Sequence, residues 1–225
     1  MYPYIASLVI LFIIFFIYVH ISKITSINNQ LDILQVFDPD TELAFELLSQ
    51  NQPIVFQKEL AFWKDFNKLL GQPIDYIKNQ IISQPEINYS TSIKINLEPY
   101  NLPLSYDWLI DIRSVVIDDS NGIFFVKQTN YLQMFGCISN IFHIIITPPN
   151  QSSKLEPFIN NVSSKDVSAM LNNEPIELNY IEIIVREGNL IYIPWGWYYF
   201  IYHPTQNTNE SVILDCINKS AINLL

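Results

Sequence analysis

Glycine is scarce in this chain, with five in 225 residues, and cysteine scarcer, with two. No Gly-rich phosphate loop, Gly-x-Ser-x-Gly elbow, His-Glu-x-x-His or Cys-x-x-Cys occurs, so the common phosphate, acyl-transfer, zinc and dithiol signatures are missing. Cys137 and Cys216 are too few for a disulfide scaffold or a Cys-built zinc site. Two buried thiols are the ordinary reading, and one bridge in an oxidising lumen is the alternative. Bases are also short: 12 Lys and Arg stand against 22 acids, for a net charge of -10. The bases are scattered singly, so a phosphate backbone or an anionic lipid surface is repelled and nucleic acid is not expected as a partner. Alanine is as rare as glycine, while Ile and Asn abound. Such a bias often follows an AT-rich coding sequence, so no single Asn or Ile carries much weight.

What is abundant is apolar. Hydrophobic residues make up 49% and aromatics 14%, enough for the core of one ordinary domain and not the composition of a disordered chain. The longest apolar run, residues 5–21, reads IASLVILFIIFFIYVHI. It holds no charge, and His20 at its end is its only strongly polar residue. With Tyr2 and Tyr4 it reaches the ~20 residues that span a bilayer core. Tyr2, Tyr4 and Tyr18 stand where aromatic side chains favour the interface. No base precedes the run and no small-residue cleavage site follows it, so an uncleaved anchor is expected rather than a signal peptide. The expected organisation is an anchor over 1–22, a linker over 23–35 and one domain over 36–225, held in a membrane through residues 2–21 as a single-pass protein. Lys23 alone speaks for orientation, which stays open. Five sequons, at Asn88, Asn150, Asn161, Asn209 and Asn218, are candidate glycosylation sites in an Asn- and Ser-rich chain.

Past the anchor, 23–35 is polar with periodic Ile and Leu and reads as a short linker helix. A helix capped by Asp40 or Thr41 follows through Leu48, then a short strand at 53–56. The i, i+3, i+4 spacing of 62–70 predicts an amphipathic helix stopped by Gly71. Beyond residue 93 short branched and aromatic runs alternate with turn residues. Strands are expected at 115–117, 123–126, 142–146, 180–185, 190–193 and 212–217, with a helix over 162–172. Many short strands of this kind predict a mainly β sandwich or barrel with flanking helices. The acid pairs Asp38/Asp40 and Asp118/Asp119 fall in turns and read as solvated residues.

Three segments, taken in order, resemble the cupin-like JmjC family. Gln52-Pro53-Ile54-Val55-Phe56 followed by Phe62-Trp63 is similar to the opening strand and Trp of such domains. Asn130 to Gly136, then 142–147 and Pro148-Pro149, resembles the strand, glycine turn, strand and double proline. Most specific is 187–199, EGNLIYIPWGWYY, which is similar to the Gly-Asp, apolar strand and Pro-x-x-Trp-Trp-His signature; Pro194, Trp195 and Trp197 carry it. The resemblance implies a double-stranded β-helix barrel of jelly-roll type over most of 52–217. It also implies an Fe(II)/2-oxoglutarate oxygenase fold, in which two His and one carboxylate hold iron and leave positions open for co-substrate and oxygen.

This chain departs from the family where the chemistry should be. Counting back from Asn130, the His-x-Asp pair falls at Phe124 and Val126, and the distal His falls at Tyr199. The co-substrate Lys should follow Gly136, where Cys137, Ile138 and Ser139 stand. The expectation is therefore a membrane-anchored JmjC-type domain without oxygenase chemistry, acting by binding a protein partner or a ligand, and with no cofactor. Two alternatives remain. One is an active oxygenase using Fe(II) and 2-oxoglutarate with relocated ligands, His143, His203 and Asp118. The other is a structural membrane protein.

Overall fold

The computed structural model describes residues 2–24, 26–38, 40–63, 66–83, 110–118, 123–130, 132–155, 178–203 and 210–219. Helix α1 spans Tyr2–Ile24, 23 residues, which is about 35 Å at 1.5 Å per residue. Its described side chains from Tyr4 to Phe15 are all exposed. Among the described residues no helix is long and apolar enough to cross a membrane; the described side chains of α1 run unbroken only from Tyr4 to Phe15.

The expected linker helix over 23–35 is replaced by an extended segment. Only Ile24 and what precedes it belong to α1, residues 26–33 are irregular, and Leu34–Phe37 forms strand β1. β1 lies parallel to β2, Ile54–Gln57, with Leu34 opposite Ile54. Side-chain amides reinforce the pairing: Gln52 donates to Gln30 and Gln57 to Gln35, both at 2.9 Å. A parallel partner distant in sequence satisfies these peptide groups, which outweighs the local Ile and Leu spacing.

Helix α2, Thr41–Ser49, starts as expected: Asp40 Oδ1 accepts from the Leu43 amide at 2.8 Å, and Glu42 sits in the first turn. Such a cap is worth ~1 kcal/mol. The predicted helix at 62–70 takes another form. A single helical turn, α3 (Glu59–Phe62), ends at Trp63, whose backbone is extended. Hydrogen-bonded turns follow, with Phe66 N–H donating to the Trp63 carbonyl and Leu69 N–H to that of Phe66, both at 2.9 Å. Trp63, Phe66 and Leu69 recur every third residue and all are buried, so the apolar stripe is kept without a continuous helix. Helix α4, Ile74–Ser83, was not signalled by the sequence; it buries Ile77.

The rest is β. The strands are β3 (Ile110–Asp118), β4 (Ile123–Lys127), β5 (Leu132–Ser139), β6 (Ile141–Thr147), β7 (Ile181–Arg186), β8 (Leu190–Tyr192), β9 (Tyr198–Tyr202) and β10 (Glu210–Asn218). They form a six-stranded sheet, β1-β2-β8-β5-β10-β3, and a four-stranded sheet, β4-β9-β6-β7. The last eight strands pair by a simple rule, first with last and so inward: β3 with β10, β4 with β9, β5 with β8, β6 with β7, all antiparallel. Second-side pairings of β10 with β5 and of β9 with β6 complete the two sheets. The fold is mainly β, with two sheets and few helices.

The inner strands β2, β8, β5 and β10 of the six-stranded sheet are buried on both faces, so they read as largely apolar runs. Met134, Leu190 and Leu214 pack under α2 to α4 against Leu48, Phe56 and Trp63. The alternate residues Phe135, Ile191 and Ile213 face the four-stranded sheet and meet Phe142, Ile144 and Ile201. Gly136 corrects an expectation. It is not a turn but lies inside β5, where a Cβ would come within 3.1 Å of Leu60 Cδ1 and 3.3 Å of Leu190 Cδ1. Its role is to admit Leu60 onto the sheet. The turn falls at Asn140, which takes φ 63°, a left-handed conformation that Asn tolerates.

Candidate functional site

Residues that the resemblance points to meet at one end of the space between the sheets. Val126 lies directly opposite Tyr199 in the β4–β9 pair, so the two share a face and their Cβ atoms are ~4.5–5.5 Å apart. Tyr199 is buried, its ring 5.1 Å from that of Phe135. Desolvation first, and the charge of Asp215 second, hold its phenol well above the ordinary range. Val126 is 40% exposed at the rim. Phe124 belongs to β4, but its side chain lies outside the described residues.

A polar group that sequence reasoning missed lines the same end. Asp215, on β10, is buried among apolar neighbours. Gln133 Nε2 donates to its Oδ1 at 2.7 Å, and Asn130 Nδ2 donates to Gln133 Oε1 at 2.7 Å. Arg113 stands directly opposite Asp215 in the β3–β10 register. One signal was available: Asp215 is the lone acid in the apolar run 212–217, at an inward position by strand alternation.

The strand ends close this rim. Gly196 takes φ +85°, and its N–H donates to the Gln128 carbonyl at 2.8 Å, while Gln128 N–H donates to the Trp197 carbonyl at 2.7 Å. Positive φ is easy only for glycine, and it lets the chain reverse between buried Pro194 and the start of β9, with Trp195 half-buried at the bend. Trp197 is fully buried, and its indole Nε1 finds no acceptor among the described residues. Trp195 is half-buried and carries Lys127 Nζ 6.0 Å from its ring centroid; the same ammonium is 6.0 Å from the Tyr198 ring. Cys137, Ile138 and Ser139, at the expected co-substrate position, are all buried in β5.

Of the relocated ligand set, the side chains of His143 and His203 are described and that of Asp118 is not. His143 lies opposite Tyr202 on the outer face of the four-stranded sheet. Its Nδ1 is 2.6 Å from Glu182 Oε1, and the Tyr202 hydroxyl donates to the same oxygen at 2.6 Å. The hydroxyl first and the imidazole second hold the Glu182 carboxyl below the usual range. His203 lies one residue past the end of β9 and is buried. Asp118 ends β3 opposite Glu210, with its side chain outside the described residues. Among the described residues no three His, Cys, Asp or Glu side chains gather as a metal-binding group.

The cysteines are both free and buried. Cys137 packs between the sheets and Cys216 beneath the helices, on opposite faces of one sheet, so they do not bridge. Of the sequons, Asn150 is exposed. Asn218 is buried at 2% exposure and is no acceptor in the folded chain. Asn88, Asn161 and Asn209, and the expected helix at 162–172, lie outside the described residues. No protein-family model matches the chain, and no curated protein matches it.

Proposed function

We propose that this chain is a membrane-anchored domain of cupin-like, JmjC-type architecture that acts by binding and not by oxygenase chemistry. The first-with-last pairing of β3 to β10 supports the architecture, because it is the connectivity of a jelly roll, a long antiparallel ladder rolled into two facing sheets. The observation that carries the functional half is the Val126–Tyr199 pair. An iron ligand set of this family would sit there, and these side chains offer a methyl surface and a neutral phenol held in its protonated form. Neither substitutes for imidazole and carboxylate at Fe(II). The polar row Asn130–Gln133–Asp215 behind them gives the rim hydrogen-bonding capacity without a metal-binding set.

The anchor is supported by α1. Over 2–24 its sequence carries Lys23 as the only charge, and its length suits a bilayer core of ~30 Å. The domain over 36–225 then stands on one side of that membrane.

The test uses the full chain purified in detergent. Elemental analysis after loading with Fe(II), together with succinate formation from 2-oxoglutarate, should give no stoichiometric iron and no turnover. Stoichiometric Fe(II) that supports 2-oxoglutarate consumption would falsify the non-catalytic reading and favour the oxygenase.

A further inference from the structure

The end of the roll that holds the candidate site is also the end at which the chain leaves α1. Ser26, two residues past Ile24, already accepts a hydrogen bond from the Asn51 side chain. Two residues of chain reach at most ~7 Å. From there the segment is pinned rather than free: Asn28 Nδ2 donates to the Gln50 carbonyl at 3.1 Å, Gln52 donates to Gln30, and Leu34 N–H donates to the Pro53 carbonyl at 3.0 Å. From Ser26 onward the chain is thus held to the β1–β2 side of the sheet, and Ser26 lies at most ~7 Å from the end of α1.

Contacts then lead from this point to the rim. The Asn150 amide donates to Asn29 Oδ1 at 3.2 Å. Pro149 lies under Gly196, 3.4 Å from where a Cβ would stand. Gly196 bonds to Gln128, next to Lys127 and Trp195. The opposite end, with Asn140 and Arg186, is six residues away along β6, or ~20 Å at the rise of a strand. Side chains exposed on the α1 end are of the kinds that settle at a bilayer surface: Ile27 at 56% and Val126 at 40%, the Lys127 ammonium, and the half-buried Trp195 indole. Trp and Lys favour the headgroup layer, the one for its amphipathic ring and the other for phosphate.

We infer that the rim formed by Ile27, Lys127, Trp195 and Asn150 rests on the lipid headgroup layer, so that the mouth of the roll opens towards the membrane from which α1 emerges. The occupant of this surface is the bilayer itself, and a zwitterionic one, because a chain of net charge -10 is repelled by anionic lipid. This inference rests on the anchor proposed above.

The experiment reconstitutes the full chain in phosphatidylcholine vesicles. Single fluorescent labels are placed at Asn150→Cys, Arg186→Cys and Leu8→Cys; the native thiols are buried. Lipids carry a nitroxide either on the headgroup or deep in the acyl chain. Headgroup nitroxide should quench the label at 150 several-fold more than that at 186, and acyl nitroxide should quench the label at 8. A Gly-Ser insertion after residue 25, or Lys127→Glu with Trp195→Ala, should reduce the quenching at 150. If the label at 8 is quenched while 150 and 186 respond alike, the docking inference fails and the anchor stands. If the label at 8 is not quenched by acyl nitroxide, the anchor fails and the inference falls with it.

Discussion

Gln133 donates its amide to Asp215 across adjacent strands at 2.7 Å, inside the space between the sheets. Both side chains are buried, Gln133 at 2% and Asp215 at 8% exposure, so neither can turn to water when the other is removed. Gln133→Leu should therefore destabilise the fold by ~1 kcal/mol or more, because it removes the buried bonds that Gln133 makes to Asp215 and Asn130. Asp215→Asn keeps an acceptor and should cost less. Urea unfolding of the two variants checks the order; a midpoint shift at constant slope is the expected signature.

Gly136→Ala places a methyl group 3.1 Å from Leu60 Cδ1 and 3.3 Å from Leu190 Cδ1. Its backbone conformation is open to any residue, so strain comes from packing alone. The expected loss is ~1–3 kcal/mol, the usual cost of an extra methyl in a filled core. Gly136→Val should lose more. A thermal unfolding series over Gly, Ala and Val tests this; an unchanged midpoint for Ala would show that Leu60 yields freely.

The sequence showed most strands because their cause is local in pattern. Runs such as 142–146 and 212–217 are apolar, branched and bounded by turn residues, and they became β6 and β10. The Asp40 cap of α2 was readable for the same reason. Where the cause was distant, the pattern misled. Leu34 and Gln35 look like the tail of a linker helix until β2 is beside them. Gly136 resembles a turn residue until Leu60, from another segment, is packed on it. The polar row Asn130–Gln133–Asp215 depends on pairing β5 with β10, about eighty residues apart, and only the inward position of Asp215 hinted at it. His143 and His203 looked like candidate partners because spacing does not reveal that one sits in β6 opposite Tyr202 and the other beyond the end of β9.

Stability should fall at both ends of the pH scale for identifiable reasons. The carboxyl of Glu182 is depressed in the folded state by the Tyr202 hydroxyl and then by His143. Its contribution is present above the unfolded value, ~4.3, and is lost as pH falls through the lower folded value. Tyr202→Phe should weaken this acid limb. Tyr192, Tyr199 and Tyr202 are raised, chiefly by burial. Their contribution is complete below the unfolded value, ~10, and is lost as pH climbs towards the raised ones. Tyrosine absorbance titration should show three phenols that ionise only as the fold opens. Free ionisation of all tyrosines near pH 10 in the folded protein would refute the alkaline half.

Cys137 and Cys216 lie on opposite faces of the six-stranded sheet. Burial pushes both thiols up, aided by the charge of Glu187 at the first and of Asp215 at the second. Reaction needs the thiolate and access, and both are withheld. A thiol reagent at pH 8 should modify neither cysteine in the folded protein and both in denaturant, with no change on prior reduction. Loss of thiol titre without reductant would mean a bridge and overturn the assignment of faces.

The Val126–Tyr199 pair allows the metal reading to be tested by restoring it. Directly opposed residues of an antiparallel pair have Cβ atoms ~4.5–5.5 Å apart, which suits two ligands with bonds of ~2 Å to one metal. Phe124 precedes Val126 by two positions in β4, within the register shift that separates Ile123 from Val126 in the β4–β9 pair, and the resemblance puts the third ligand there. Phe124→His, Val126→Asp and Tyr199→His together should therefore create a site for Co(II), visible as d–d absorption on titration and as a rise in melting temperature with metal, since a ligand that binds only the folded state stabilises it. The same change at the outward pair, Ile184→His opposite His143, is the control for adventitious binding. If the triple variant folds, as shown by an unchanged circular dichroism spectrum, yet binds Co(II) no better than this control, the three positions do not converge and the correspondence with a JmjC-type ligand set is wrong.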